Sequence, residues 1–175
     1  MPSAVNLDEF VRDVPDFPKP GIVFKDITPL LAAPDALREA AHRMGQPFKD
    51  AGVTKVAAAE ARGFLFGPSV AMALGVGFVP VRKPGKLPGE TRSKTYDLEY
   101  GTDELQVRHD AFSSGDRVLL CDDLLATGGT MAASADLVTE AGAELVGFTF
   151  LIELLALNGR ERLGEVPIAA LIAYE

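Results

Sequence analysis

Cysteine, histidine and tryptophan are scarce in this chain of 175 residues, which has one cysteine, two histidines and no tryptophan. The single cysteine, Cys121, cannot form an internal disulfide. Together with His42 and His109 it also supplies too few ligands for a four-ligand zinc site. The composition therefore excludes a disulfide scaffold and a fold built around structural zinc.

A long apolar run and an excess of basic residues are also missing. The most apolar stretch, 145–157, is interrupted by Thr149 and Glu153 and is shorter than the roughly 18 residues that a membrane helix requires. No basic segment followed by an apolar one stands at the start, so we expect a cytoplasmic protein without a membrane partner. A formal net charge of −8 argues against general binding of nucleic acid.

The remaining composition, 47% hydrophobic and 24% charged, predicts a single domain over residues 1–175. Short apolar strands alternate with helical stretches along the chain, which predicts an α/β fold with a parallel twisted sheet flanked by helices. We expect a helix after Asp35 as N-cap, irregular backbone at 14–21 and 82–94, and a hairpin of strands 96–100 and 104–109. The other predicted strands are 53–59, 77–81, 118–121, 145–151 and 168–173, and the other helices are 65–74 and 130–140.

The segment 118–130 carries the clearest chemistry, because an apolar strand leads into Asp122 and Asp123 and then into Thr-Gly-Gly-Thr at the start of a helix. Gly128 and Gly129 allow backbone N–H groups to approach a ligand closely, and a helix N-terminus favours a phosphate. Two carboxylates beside a phosphate are suited to accept hydrogen bonds from sugar hydroxyls. The segment therefore predicts a site for a ribose 5-phosphate.

Other phosphate and nucleophile motifs fail on inspection. Gly85-Lys86 would need a glycine at position 80 to form a P-loop, and Pro80 stands there. Gly75 and Gly77 lack the third glycine of a dinucleotide fingerprint. A group of basic residues in this acidic chain is a second indication of function: Arg82, Lys83, Lys86, Arg92 and Lys94. This group favours a small polyanion as the ligand.

The 118–130 segment resembles the phosphoribosyl pyrophosphate motif of the type I phosphoribosyltransferases. Further segments are similar to the adenine-specific members of that family: 15–29, 61–67, 82–89, 98–101 and 158–161. The resemblance implies the family's fold, with a small N-terminal hood and a flexible loop or hairpin. It also implies transfer of the 5-phosphoribosyl group from phosphoribosyl pyrophosphate to adenine, giving AMP and pyrophosphate, a reaction of purine salvage.

Roles for individual residues follow from the resemblance. It implies that Glu99 and Arg62 act in catalysis, with Glu99 the candidate for acid–base chemistry and Arg62 in contact with pyrophosphate. The residues implied in substrate binding are Asp122, Asp123, Ala126, Thr127, Gly128, Gly129, Thr130, Arg82, Lys83, Lys86, Tyr100, Val23, Phe24, Lys25 and Leu154. Mg²⁺ is the implied cofactor, bound mainly through the substrate, and the implied assembly is a homodimer.

Two alternatives stay open from the sequence. The first is a phosphoribosyltransferase for hypoxanthine, guanine or orotate, against which segment 15–29 speaks. The second is a regulator that senses phosphoribosyl pyrophosphate without catalysis, against which the absence of a DNA-binding segment and the intact loop motif speak.

Overall fold

The computed structural model of the protein describes residues 5–98 and 101–175. In these ranges the strands are β1 (Arg12–Pro15), β2 (Val23–Asp26), β3 (Lys55–Ala59), β4 (Gly77–Val81), β5 (Thr91–Asp97), β6 (Thr102–Arg108), β7 (Arg117–Leu125), β8 (Glu144–Leu154) and β9 (Ile168–Tyr174). The α-helices are α1 (Thr28–Ala32), α2 (Pro34–Gly45), α3 (Gly67–Leu74) and α4 (Gly129–Glu140). Short 3-10 helices cover Leu7–Phe10, Gln46–Phe48, Arg62–Leu65, Leu155–Leu157 and Gly159–Arg162. The predicted α/β class is confirmed.

The central sheet of the described residues has five strands in the spatial order β4-β3-β7-β8-β9, and every neighbouring pair is parallel. The chain order reverses between β3 and β7, because β4 lies on one side of β3 and the later strands lie on the other. In open sheets of this kind, ligands bind beyond the carboxyl ends of the strands at the point of reversal. The segments that follow β3 and β7 are therefore the place to look for a site.

Both faces of this sheet are buried. Along β7, Val118 and Leu120 belong to one apolar cluster together with residues of α4 and β6, whereas Leu119 and Cys121 belong to a second cluster with residues of α2 and α3. A strand covered on both faces needs apolar side chains at successive positions. Cys121 serves as such a side chain, and burial raises the pKa of its thiol.

The small N-terminal hood implied by the family resemblance is a two-stranded ribbon, whose strands the residue pattern did not predict. Strand β1 pairs antiparallel with β2, with Arg12 opposite Asp26 and Pro15 opposite Val23. The expectation of irregular backbone at 14–21 is therefore wrong for its first two residues and holds for the turn that follows. We call this ribbon, residues 12–26, the hood.

The segment 82–94 also contains regular structure. Strand β5 begins at Thr91, and it pairs with β6 from Thr91 opposite Arg108 to Asp97 opposite Thr102. A hairpin is present as predicted, but its strands are Thr91–Asp97 and Thr102–Arg108 in place of 96–100 and 104–109, because the pairing register that sets their bounds leaves no trace in local periodicity.

Two predicted helix starts are displaced. Helix α2 begins at Pro34, with Ala33 as N-cap in place of Asp35, because proline fits the first turn of a helix. Helix α3 begins at Gly67, and the residues just before it form a 3-10 turn. No helix in the described part of the chain is long and apolar enough to cross a membrane.

Candidate active site

Close backbone contact holds the segment 126–130 in shape; it comprises the link between β7 and α4 and the first two residues of α4, and we call it the β7–α4 turn. Gly128 has φ 80°, and a Cβ built there would lie 2.5 Å from the carbonyl oxygen of Gly159, so the position requires glycine. Helix α4 starts at Gly129, and in the described part of the chain no side chain of the N-cap position bonds its first N–H groups, which can therefore face a ligand. A pocket of about 150 Å³ opens here, lined by the turn together with Arg62 and Asp122. The turn can bind an anion.

Two adjacent carboxylates, Asp122 and Asp123, lie in the last part of β7, which runs to Leu125 and so extends beyond the predicted strand 118–121. Asp123 is 4% exposed, and its N–H donates to Oδ1 of Asp122 at 2.8 Å. Burial raises the pKa of both side chains. The negative charge of Asp123 raises that of Asp122 further, whereas Arg62 opposes the rise at Asp123. The two carboxylates together offer hydrogen-bond acceptors, and Arg62 balances only part of their negative charge.

Arg62 lies at the start of the turn that follows β3. Its Nε is 3.3 Å from Oδ2 of Asp123, and its guanidinium lies 5.9 Å from the centre of the Phe24 ring. The next residue, Gly63, packs closely against the same carboxylates, since a Cβ there would stand 3.2 Å from Oδ1 of Asp122. With 49% of its side chain exposed, Arg62 presents a cation to solvent between the carboxylates and the hood.

A second pocket, of about 240 Å³, lies under the hood. Its lining includes four residues predicted to surround a base, Val23, Phe24, Lys25 and Leu154. Arg62 lines this pocket as well as the first one, so the two adjoin. We call the second one the base pocket. Its apolar walls and aromatic ring suit a flat heterocycle.

The predicted basic residues Arg82 and Lys83 follow β4, at the same sheet edge as Arg62. Nε of Arg82 is 3.2 Å from Oε1 of Glu60, and the backbone N–H of Lys83 donates to the same oxygen at 2.6 Å. The ammonium of Lys83 pairs with Asp103, and the hydrogen bond from Lys83 is the largest factor that lowers the pKa of Asp103. These cations are thus held by carboxylates around the site.

Lys86 lies further along the same loop, where its carbonyl oxygen is 3.5 Å from Nη1 of Arg82. Glu99 and Tyr100, which were predicted to act in catalysis and binding, lie outside the described residues. The hairpin that carries them contacts the β7–α4 turn, since the hydroxyl of Tyr96 is 3.4 Å from Oγ1 of Thr130.

Comparison with known proteins identifies the family. The model of the phosphoribosyl transferase domain matches residues 26–166 of the chain. The chain belongs to the phosphoribosyl transferase family. A curated relative from Methylococcus capsulatus, an adenine phosphoribosyltransferase, is 57% identical over 164 residues, which are 94% of this chain and 96% of the relative.

Solved phosphoribosyl transferase structures agree with this assignment. The adenine phosphoribosyltransferase of Thermoanaerobacter pseudethanolicus is 50% identical, superposes with a TM-score of 0.92 and covers 96% of this chain and 98% of its own. The enzyme of Saccharomyces cerevisiae, in complex with an imino-altritol bisphosphate and adenine, is 40% identical with a TM-score of 0.89, covering 94% and 96% of the two chains. The fold predicted from the sequence and the resemblance to adenine-specific members are both confirmed.

One support of this phosphoribosyl transferase site escaped the sequence analysis. The guanidinium of Arg160 donates to both carboxylate oxygens of Glu153, at 2.7 and 2.6 Å, and Glu153 is 5% exposed. This pair holds the segment in which Gly159 packs against the β7–α4 turn. The sequence signal for this ion pair was an acid, Glu153, inside a largely apolar strand, since a buried charge requires a partner.

The described residues contain no group of three or more histidine, cysteine, aspartate or glutamate side chains placed to hold a metal ion. Among the described carboxylates, Asp122 lines the pocket at the β7–α4 turn, and Arg62 already contacts its neighbour Asp123. This donor set fits a magnesium ion that is carried mainly by the oxygens of a phosphorylated substrate.

Proposed function

We propose that this protein transfers the 5-phosphoribosyl group from phosphoribosyl pyrophosphate to adenine, which yields AMP and pyrophosphate. One observation carries the proposal: the pocket at the anion-binding turn and its carboxylates adjoins the base pocket, and Arg62 lines both. A sugar phosphate and a base bound in these pockets would meet beside Arg62. Relatives matched over nearly the whole chain are adenine phosphoribosyltransferases.

The sugar phosphate would lie over the carboxyl end of β7. Asp122 and Asp123 accept hydrogen bonds from the ribose hydroxyls, and the backbone N–H groups and hydroxyls of the β7–α4 turn bind the 5-phosphate: Ala126, Thr127, Gly128, Gly129 and Thr130. A negative phosphate is further favoured by the positive end of α4. This arrangement fixes the sugar so that C1 faces the base pocket.

The leaving pyrophosphate needs positive charge around it as its bond to C1 breaks. Arg62, Arg82, Lys83 and Lys86 supply this charge from the sheet edge and the following loop. Magnesium, when bound, neutralises further charge on the phosphate oxygens. Carboxylates already hold Arg82 and Lys83, which supports the proposal because less side-chain freedom would be lost when the substrate binds.

We assign the selection of adenine to the base pocket. Phe24 stacks on the ring, Leu154 covers the other face, and backbone groups of Val23 and Lys25 read the edge of the base. Replacing the exocyclic amine by a carbonyl would oppose two acceptors and leave a buried group without a partner, which disfavours hypoxanthine. Glu99 is the proposed acid–base residue, with Tyr100 binding beside it, and closure of the 82–100 segment would exclude water.

The proposal extends to a cytoplasmic homodimer, with Arg82 and its loop close to the partner's site. Light scattering after gel filtration tests the assembly. A dimer would have about twice the 18.6 kDa of one chain.

The deciding experiment measures pyrophosphate release from phosphoribosyl pyrophosphate and Mg²⁺ with adenine, hypoxanthine, guanine or orotate offered separately. We expect release with adenine alone. Release with another base instead would overturn the assignment of the base pocket, and binding without release for any base would favour a non-catalytic sensor.

A further inference from the structure

Tyr174, the penultimate residue of the chain, connects the two walls of the base pocket. In the sheet it lies opposite Leu154, which lines the pocket from β8. Its ring lies under the side chain of Lys25, whose Nζ is 3.7 Å from the ring centre and which lines the pocket from the hood. One side chain therefore spans from the sheet to the hood.

Further contacts fix this connection at both ends. The hydroxyl of Tyr174 donates to Oδ1 of Asp8 at 2.6 Å, and Nζ of Lys25 lies 2.6 Å from Oδ1 of Asp13 on β1. Only 15% of the Lys25 side chain is exposed. Burial, together with the hydrogen bond to Asp8, raises the pKa of Tyr174, so its hydroxyl stays protonated and remains a donor.

We propose that Tyr174 is a positioning residue for the base: it holds strand β2 of the hood at a set distance from β8 and thereby controls the affinity for adenine. The inference rests on the proposed function. Tyr174 is not among the described residues that line the base pocket, whereas Lys25 and Leu154 are, so it acts through them.

The effect should be confined to the base. The hood is a separate two-stranded ribbon, which pairs with no strand of the central sheet in the described residues. Its orientation therefore depends on side-chain contacts such as those of Tyr174. Asp122 and Asp123 belong to β7 of the central sheet, and the β7–α4 turn leads into helix α4. Both should keep their geometry when the hood moves.

Steady-state kinetics of Tyr174→Leu, with adenine and phosphoribosyl pyrophosphate varied in turn, test the inference. We expect the KM for adenine to rise about ten-fold, because the cation–π contact of a largely buried ammonium is lost. The KM for phosphoribosyl pyrophosphate should stay within about two-fold of the wild-type value. Tyr174→Phe keeps the ring and should recover most of the affinity for adenine, and Glu175→Gln serves as the matched control at the neighbouring position.

Lys25→Met reaches the same contact from the hood and covers the case in which Tyr174→Leu does not fold. The double variant should raise the KM for adenine by less than the product of the two single effects, since both single variants remove the shared contact between Lys25 and Tyr174. An unchanged KM for adenine in Tyr174→Leu, or an equal rise in both KM values, would overturn the inference while leaving the proposed function intact. If the wild type is inactive, the proposed function fails, and calorimetric titration of the same variants with adenine still decides whether Tyr174 controls base binding.

Discussion

Gly159 offers a direct test of how the β7–α4 turn is supported. A Cβ built at this position would stand 2.3 Å from the carbonyl oxygen of Ala126 and 2.8 Å from Cδ1 of Leu125. Across the same contact, a Cβ at Gly128 would stand 2.5 Å from the carbonyl oxygen of Gly159. Gly159→Ala therefore pushes on the turn that is proposed to bind the 5-phosphate, without changing any group that would touch the substrate.

The expected size of the effect follows from the cost of overpacking. The segment that carries Gly159 cannot retreat easily, because Arg160 is tied to the buried carboxylate of Glu153 at 2.6 and 2.7 Å. Forcing an extra carbon into a well-packed site costs about 1–3 kcal/mol. If the turn takes up that displacement, the KM for phosphoribosyl pyrophosphate should rise about 5- to 150-fold.

The assay is AMP formation with phosphoribosyl pyrophosphate varied at saturating adenine, accompanied by thermal unfolding. Gly77→Ala is the matched control, because a Cβ there meets nothing within 4 Å. A Gly159→Ala variant that loses thermal stability yet keeps the wild-type KM for phosphoribosyl pyrophosphate would refute the reasoning, since the strain would then have been absorbed away from the turn.

Four further predictions concern the ionisation of two aspartates, the role of one lysine and the requirement for a metal ion. Burial holds the pKa of Asp122 well above its ordinary value. The free energy of unfolding should therefore fall as the pH rises from about 4 through that raised pKa. Urea titrations should show that Asp122→Asn flattens this pH dependence. The hydrogen bond from Lys55 lowers the pKa of Asp116 to about 2, so the pair's stabilisation is present above pH about 4 and lost as the pH falls towards 2. In urea titrations Asp116→Asn should therefore cost about 2 kcal/mol at neutral pH, and a cost unchanged near pH 2 would contradict this. Lys83→Met should weaken inhibition by pyrophosphate about ten-fold, whereas Lys94→Met, whose ammonium pairs with acids of α4, should leave it unchanged. Chelation by EDTA should abolish adenine-dependent release of pyrophosphate, and added Mg²⁺ should restore it; activity that survives exhaustive chelation would remove the metal from the proposal.

Much of the central sheet could be predicted from the sequence. Strand β4 lies at 77–81 as expected, and α4 begins within one residue of the predicted start. The family resemblance implied the hood, but neither its strands nor the early start of β5 could be predicted from local patterns, because short strands such as β1 are stabilised by pairing with a partner and carry little periodicity of their own.

The candidate site also has one part that the sequence could predict and another that it could not. The residues of the β7–α4 turn are consecutive, so their chemistry is legible in the chain. The grouping of Val23, Phe24, Lys25 and Leu154 around one pocket was expected only from the resemblance to a family, since no local pattern joins residues so far apart. Glu99 and Tyr100 remain predictions.

The sequence by itself determined the succession of strands and helices from β3 onward and the anion-binding character of the turn after β7, because both depend on neighbouring residues. Only the tertiary structure decided which distant side chains support that site. The hydrogen bond of Tyr174 to Asp8 joins residues 166 positions apart. It forms because β9 lies beside β8 and the hood lies over the sheet edge, and that arrangement follows from burial of the whole core and from no single segment.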